Sequence, residues 1–431
     1  MKTNKTFLSC AVAFGLASVS TLTQAAGFQL AEYSATGLGR AYAGEAAMAD
    51  NASAQWRNPA MLTYLNGTQV SAGAIYVNPN VDVDGTVKHQ LLGQTAASSK
   101  DFAHDAVIPN FYLSHQLNEQ VVLGFALGTN YGMETDLGTE FAASHFGNQA
   151  SVISKEANLN IAYQILPQLS IGGGMRYVMG EGHFGATVPP QLNAVKPGFA
   201  GQTLKYMEGE DTSWGWQVGS AWQINDAHRI GFTYKSKVSL KLVGHAEGWG
   251  FNKTTGFYDT GSMALELPAT AEIASFHQVS ENFALHTSIN WTEWSSFKEL
   301  YANLDNNDGS TVKVENWEDN FRFALGATYQ IQPELVLRTG IAYDISAVND
   351  KNRTITIPET DRTWLSLGAT YDVSKQLSFD AGFTYIFAKN APITESRGYQ
   401  SDEEAQKLGG KFVGETTGNV WLIGVQANYR F

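Results

Sequence analysis

Beyond about residue 67, apolar and polar residues alternate with a period of two along most of this chain. In residues 321–331, Phe321, Phe323, Leu325, Ala327, Tyr329 and Ile331 share one face, and Arg322, Ala324, Gly326, Thr328 and Gln330 share the other. Residues 377–387 repeat the pattern, with Phe379, Phe383, Tyr385 and Phe387 opposite Ser378, Asp380, Gly382 and Thr384. Such stretches predict strands with one apolar and one polar face. Soluble sandwiches alternate too, but their apolar face is an aliphatic core. Aromatic residues this dense near strand ends fit a membrane boundary.

Six short connections share one format, an apolar residue, a few polar ones, then another apolar strand; they fall at residues 115–120, 164–169, 223–228, 278–283, 330–335 and 372–377. They recur roughly every 40 to 60 residues, the length of two strands and a longer loop. Six hairpins, one strand over about residues 68–78 and one over residues 419–431 give about fourteen strands, an even number as single-chain barrels require. The opposite rim carries longer Gly-, Asn- and Asp-rich stretches, at residues 80–105, 189–211, 244–262 and 390–418. The chain ends on Val425, Ala427, Tyr429 and Phe431 alternating with Gln426, Asn428 and Arg430, a pattern that resembles the assembly signal of outer-membrane barrels. The expected fold is all-β, a 14-stranded antiparallel transmembrane β-barrel plugged by a small N-terminal hatch domain.

Composition narrows the class. Charged residues are 16% and aromatics 12%, with 42 glycines, and no apolar run of about 18 residues follows the N-terminus, which excludes a helical membrane protein. Residues 1–25 read as a secretory signal: Lys2 and Lys5, an apolar core over residues 7–19, and Thr23-Gln24-Ala25 as a cleavage site. The only cysteine, Cys10, lies inside it, too early for a lipidation site, so disulfides are not expected in the mature chain. The net charge of −13 becomes −15 when Lys2 and Lys5 leave, which argues against nucleic acid as a partner.

Residues 26–62 look unlike their neighbours. They are rich in Gly and Ala, carry Glu32, Arg40, Glu45, Asp50 and Arg57, and end in Asn58-Pro59-Ala60. Eight-stranded barrels are filled by their own side chains, and porins of about 16 to 18 strands leave a channel. A barrel between these sizes leaks unless something occupies it. The segment is therefore expected to be a plug whose charges pair with inward residues such as Arg322, Arg338 and Asp380. Phe28, Leu30, Tyr33, Leu38, Tyr42, Met48 and Trp56 argue against a disordered tail. The expected organisation is a signal peptide over 1–25, the plug over 26–66 and the barrel over 67–431.

The stretch AGFQLAEYSATGLGRAYAGEAAMAD followed by RNPAML resembles the N-terminal hatch of the FadL family, outer-membrane transporters of long-chain fatty acids. The resemblance continues through Asn130-Tyr131-Gly132, Trp291-Thr292-Glu293-Trp294, Arg322-Phe323-Ala324-Leu325-Gly326 and the strands from Asp361 onward. It implies a monomeric barrel in the bacterial outer membrane that captures hydrophobic ligand outside, holds it in an apolar pocket, and releases it sideways into outer-membrane lipid.

The resemblance also nominates residues. Asn58, Pro59 and Ala60 are the hatch motif; Pro59 fixes one φ and biases Asn58 toward an extended conformation, which suits a sharp turn against the wall. Asn130, Tyr131 and Gly132 match the strand kink that opens the wall. Gly124, Gly128 and Gly132 share a face there, and small residues that merely make room for the plug explain them as well. Phe28 and Leu30 stand at the hatch end expected to move. Lys313 falls where the family meets the ligand carboxylate, while its partner arginine is replaced by Ala186; a solvated loop lysine is the plainer reading. Two loops, residues 186–211 and 245–261, match the capture groove and carry Val188, Pro189, Phe199, Trp249, Phe251 and Phe257.

Other chemistry is weak in this sequence. His286, Ser288 and Asn290 share a strand face, but alternate positions lie too far apart for a nucleophile and base pair. Gly37-x-Gly39 opens no βαβ unit. Asp82-Val83-Asp84-Gly85 begins like a calcium loop without its closing Glu, and Asp84-Gly85 is expected to turn. No enzyme activity and no cofactor or metal are expected. Beside fatty-acid uptake stand a channel for uncharged aromatic or aliphatic hydrocarbons, an open polar porin, and a receptor role for the loops.

Overall fold

Alternating strands with one apolar face must turn it to a core or to lipid; here the sheet closes on itself with that face outward. The computed structural model describes residues 27–89, 93–251, 258–396 and 409–431. The expected signal peptide, Ala26 and Phe257 lie outside the described residues.

Fourteen antiparallel strands make the wall. They are β1 (Thr68–His89), β2 (Ala106–Gln116), β3 (Val121–Gly128, resuming as Gly132–Asp136), β4 (Gln149–Leu166), β5 (Leu169–Thr187) and β6 (Thr203–Asn225). Next come β7 (His228–Lys235 and Val238–Glu247), β8 (Tyr258–Leu267 and Thr270–Ser280), β9 (Phe283–Thr292 and Glu299–Leu304) and β10 (Ser310–Val314 and Asn320–Gln332). Then follow β11 (Leu335–Asp344), β12 (Arg362–Asp372), β13 (Leu377–Ala388 and Ala391–Ser396) and β14 (Lys411–Arg430). Closure is made by β1 against β14, in register from Gln69↔Arg430 to Lys88↔Lys411, which joins the first strand to the last. All six tight connections fall between strands, on one rim.

The outward faces are apolar where the membrane would lie. Phe321, Phe323, Leu325, Phe379, Phe383, Ile423 and Val425 all point outward and are exposed. Trp222, Tyr329, Tyr371 and Tyr429 form a girdle just before the tight-turn rim or the chain end. No helix among the described residues is long and apolar enough to cross a membrane.

Several long-loop expectations are corrected. β1 runs to His89 and carries an extra hairpin strand, Gly93–Ser99; β14 begins at Lys411; β6 begins at Thr203. Asp84 and Gly85 do not turn but continue β1, paired with Glu415 and Gly414. Beyond the hydrocarbon layer both faces of a strand meet polar surroundings, so the apolar alternation fades while the backbone ladder goes on. Buried side chains form three main apolar clusters: a packed cluster toward the long-loop rim, called the chamber below for its apolar lining, a core shared by the N-terminal segment and the wall, and a third including Phe102, Phe141, Phe146 and Phe412.

Candidate functional site: an apolar chamber, its N-terminal stopper and a break in the wall

Residues 27–65 thread the barrel interior and touch strands on every side. Their helices are only single turns: α1 (Ala35–Leu38), capped by the Ser34 hydroxyl accepting from Gly37 N, and α2 (Ala54–Arg57), with 3-10 turns at Glu45–Ala47 and Pro59–Tyr64. Stretches this short have no intrinsic helical stability, so tertiary contacts hold them.

Those contacts are charged at the root. Arg40 Nη2 meets Glu45 Oε1 at 2.6 Å and Asp50 Oδ2 at 2.7 Å, and Asp50 reaches Arg338 of β11 at 3.6 Å. Tyr33 donates to Glu45, and Thr36 donates to Asp380 of β13 at 2.7 Å. Arg57 pairs with Glu272 of β8 at 3.2 Å, and Arg322 donates to Ala41 O at 2.7 Å. Burial pushes the Asp50 carboxyl up, but Arg40 and Arg338 outweigh it and hold it well below the usual range. Asn58 caps the turn that Pro59 begins: its Oδ1 accepts from Ala60 N at 3.0 Å, and its Nδ2 donates to Ala46 O at 2.6 Å and to Ser220 O at 3.0 Å. The wall meets this motif with glycines. A Cβ on Gly172 would lie 2.5 Å from Ala60 N, and one on Gly219 would lie 2.0 Å from Asn58 Oδ1.

At the other end the segment is held by aromatics and backbone. Phe28 is fully buried on the floor of the chamber, its ring 4.7 Å from Trp294, 5.3 Å from Phe297, 5.9 Å from Trp317 and 6.1 Å from Tyr131 by centroids. Gly27 enters this cage at φ +62, where a Cβ would sit 2.5 Å from both Trp294 and Trp317. Leu30 is buried against the neighbouring core. Leu30 N donates to Asn130 O and Gly132 N donates to Phe28 O, each at 2.7 Å, with Gln29 opposite Tyr131. Beside this strand lies a small polar cavity lined by Gln29, Arg57, Asn290, Arg322 and Trp364 among others.

The pairing partner, residues 130–132, is where the wall gives way. Against β4, Gly128 pairs with Glu156 and Gly132 with Ile153, so residues 129–131 oppose only Ser154 and Lys155. On the other side, the ladder between β2 and β3 stops at Phe111↔Leu127, and residues 106–110 pair with β1 alone. Pro109, which has no amide donor, sits on that unpaired edge. Higher up the strands rejoin through Ala103↔Thr135. A buried polar set fixes the break: Asn130 Nδ2 donates to Glu156 Oε2 at 2.7 Å, Arg176 forks onto Glu156 with two bonds of 2.8 Å, and Lys235 Nζ reaches Asn130 Oδ1 at 3.2 Å. Tyr131 OH donates to Pro268 O at 2.6 Å. Gly124 and Gly128 lie under Gln55 and Trp56, so the plainer reading of those glycines, room for the segment inside, holds for these two. Glu156, Arg176 and Lys235 went unnoticed in the sequence, yet the turn at residues 167–168 sets Asn158 opposite Arg176 and places Glu156 on its diagonal.

Over residues 16–431 the chain matches the family described as "Outer membrane protein transport protein (OMPP1/FadL/TodX)". The chain belongs to the FadL family. It is 33% identical to a "Long-chain fatty acid transport protein" of Escherichia coli over 99% of each chain. It is 35% identical to a "47 kDa outer membrane protein" of Pasteurella multocida over 100% of each. A solved FadL homologue of Pseudomonas aeruginosa superposes with a TM-score of 0.81 at 22% identity, covering 94% of this chain and 100% of that one. The barrel is thus an outer-membrane protein of a transport family, and that family is not one of enzymes.

In this FadL-family chain Lys313 is not a solvated loop lysine. It is 1% exposed, with Nζ 3.0 Å from Glu395 Oε1 and 3.0 Å from Thr356 Oγ1. Ala186 is buried in the chamber cluster. The two loops differ in what they offer. Phe251 is buried in the chamber cluster, whereas Trp249 is exposed, stacked edge-on to Phe199 at 5.7 Å, with its Nε1 donating to Gln202. Val188 is buried. A shallow cleft nearby is lined by Met207, Leu242, Ala246 and Met263 together with Glu208, His245, Ser262 and Asn303 among others. His286 bonds Thr328 at 2.8 Å, and no hydrogen bond links it to Ser288.

Proposed function

We propose that this protein carries long-chain fatty acids and similar hydrophobic molecules passively across the outer membrane, as a monomer whose barrel closes on itself. The observation that carries this reading is that one short strand, residues 28–30, does two jobs: its Phe28 side chain occupies the floor of the apolar chamber, and its backbone covers the wall break at residues 130–132. A ligand that displaces Phe28 also frees the break. Ligand gathers at the loops around Trp249, descends the cleft to the chamber, and leaves through the gap beside residues 106–110 into outer-membrane lipid. Each methylene buried contributes about 0.8 kcal/mol, so an acyl chain binds without an energy source. The name of the Escherichia coli relative supports fatty acid as the ligand class. The root of the plug stays in place throughout, held by Asn58, Pro59 and Ala60 and by the buried ion pairs.

Tethering is the test. Gln29 and Tyr131 face each other across the two strands, and the only natural cysteine lies at position 10. Oxidising a Q29C/Y131C variant should cut uptake of labelled oleate at least tenfold, with recovery on reduction. Unchanged uptake in the oxidised form would rule this mechanism out.

A further inference from the structure

The chamber wall contains a cation that is already matched by the protein's own carboxylates. Lys313 is buried beside Phe184 of the apolar cluster, its ammonium 5.5 Å from that ring centroid and 3.0 Å from Thr356 Oγ1. Its ion-pair partner, Glu395, comes from the far part of β13 and is anchored there, its Oε2 accepting from Ile355 N at 2.8 Å. A second carboxyl, Glu315, is fully buried two residues from Lys313 and accepts from Trp317 Nε1 at 3.0 Å. Two acidic groups therefore attend one ammonium, and Ala186 adds no further cation. A buried charge is tolerated only when paired. An ionised headgroup arriving here must displace Glu395 from Lys313 or remain beside it unpaired, whereas an uncharged ligand meets only the apolar lining.

We propose that Glu395 is an internal competitor for Lys313 and sets how strongly the chamber discriminates between ionised and uncharged hydrophobic ligands. The inference rests on the uptake reading above and refines its ligand class. Replacing Glu395 by Gln keeps the side-chain length and an acceptor for the Ile355 amide but removes the charge, which leaves Glu315 as the remaining carboxyl near Lys313 and opens the ion-pair position that Glu395 held to another anion. A ligand carboxylate then supplies a charge-assisted bond in a dry site.

The experiment compares binding of labelled oleate and methyl oleate to the full mature chain in lipid nanodiscs at pH 8. Wild type should prefer the ester. E395Q should tighten oleate at least tenfold while changing the ester less than twofold, and E395Q/K313M should lose that gain. Should E395Q fail to fold by circular dichroism, K313M gives the same answer, weakening oleate at least fivefold relative to the ester. An oleate-to-ester ratio equal to wild type in a folded E395Q, or in K313M if E395Q does not fold, overturns the proposal. Binding of neither ligand by wild type overturns instead the uptake reading on which it stands.

Discussion

The two ends of the segment inside the barrel are fastened by different physics. Its root is tied to the wall by buried charges, Arg40 to Asp50 and Asp50 to Arg338, and its backbone rests directly on wall glycines such as Gly172 and Gly219. Its tip is held by two backbone hydrogen bonds, the Gly27 amide donating to the Glu359 carboxylate, one bond from Thr292 to Gln29, and a ring of aromatic contacts around Phe28. Buried ion pairs are costly to break one partner at a time. Aromatic contacts and a two-bond strand give way more gently and exchange readily for another apolar body. The root is built to stay and the tip to be displaced.

Breaking the root should have the largest effect. Arg40→Met leaves Glu45 and Asp50 without their shared partner, which should destabilise the plug by about 3–5 kcal/mol. Planar-bilayer recordings should then show conductance that wild type lacks. Phe28→Ala attacks the tip instead and removes a fully buried ring, a local cost of about 3 kcal/mol. Amide exchange at Leu30 and Gly132 should rise roughly a hundredfold, since 1.4 kcal/mol is a factor of ten, while conductance stays at the wild-type level. If this variant conducted as Arg40→Met does, the division between root and tip would be wrong. Gly219→Ala sharpens the comparison at the motif: its Cβ would stand 2.0 Å from Asn58 Oδ1, an overpacking of about 1–3 kcal/mol. Faster trypsin cleavage at Arg57 is the expected readout.

The wall was legible because closing a sheet against lipid leaves a period-two record, and its tight turns carry polar residues wherever a hairpin reverses. Phe321 through Ile331 shows this directly. The segment at residues 27–65 stood apart in composition and in its resemblance to a known hatch, and the structure places it inside the barrel. What stayed hidden depended on residues far apart in the chain. Lys313 reads as an ordinary charged residue until Glu395 is brought beside it, and Lys235 gains meaning only from Asn130. Inward polar positions also look alike in a barrel, since water, a plug or a counter-ion would each suit them. The run of β1 past Asn80 was missed for a related reason, because outside the membrane the backbone pairs without an apolar face.

The smallest effect concerns pH and singles out Glu32, at the junction of tip and root. It is buried, its Oε2 has no hydrogen-bond partner among the described residues, and burial pushes its carboxyl up to about 7 despite the amides of Glu32 and Ala31 and the positive charges of Arg322 and Arg362. A motion that hydrates Glu32 returns it toward an ordinary carboxyl near 4.5. The docked form therefore binds more protons between those values. Its stability is fully present at low pH and is lost as pH rises through about 7. Between pH 6 and pH 8 the docked tip should weaken by about 1 kcal/mol, at roughly 1.4 kcal/mol per pKa unit. Amide exchange over residues 28–32, corrected for its intrinsic pH dependence, should accelerate several-fold across that interval. Glu32→Gln should flatten the response while leaving exchange at Ala46 and Ala60 in the root unaltered. An equal pH slope in that variant would remove Glu32 from the hinge between the fixed and movable ends.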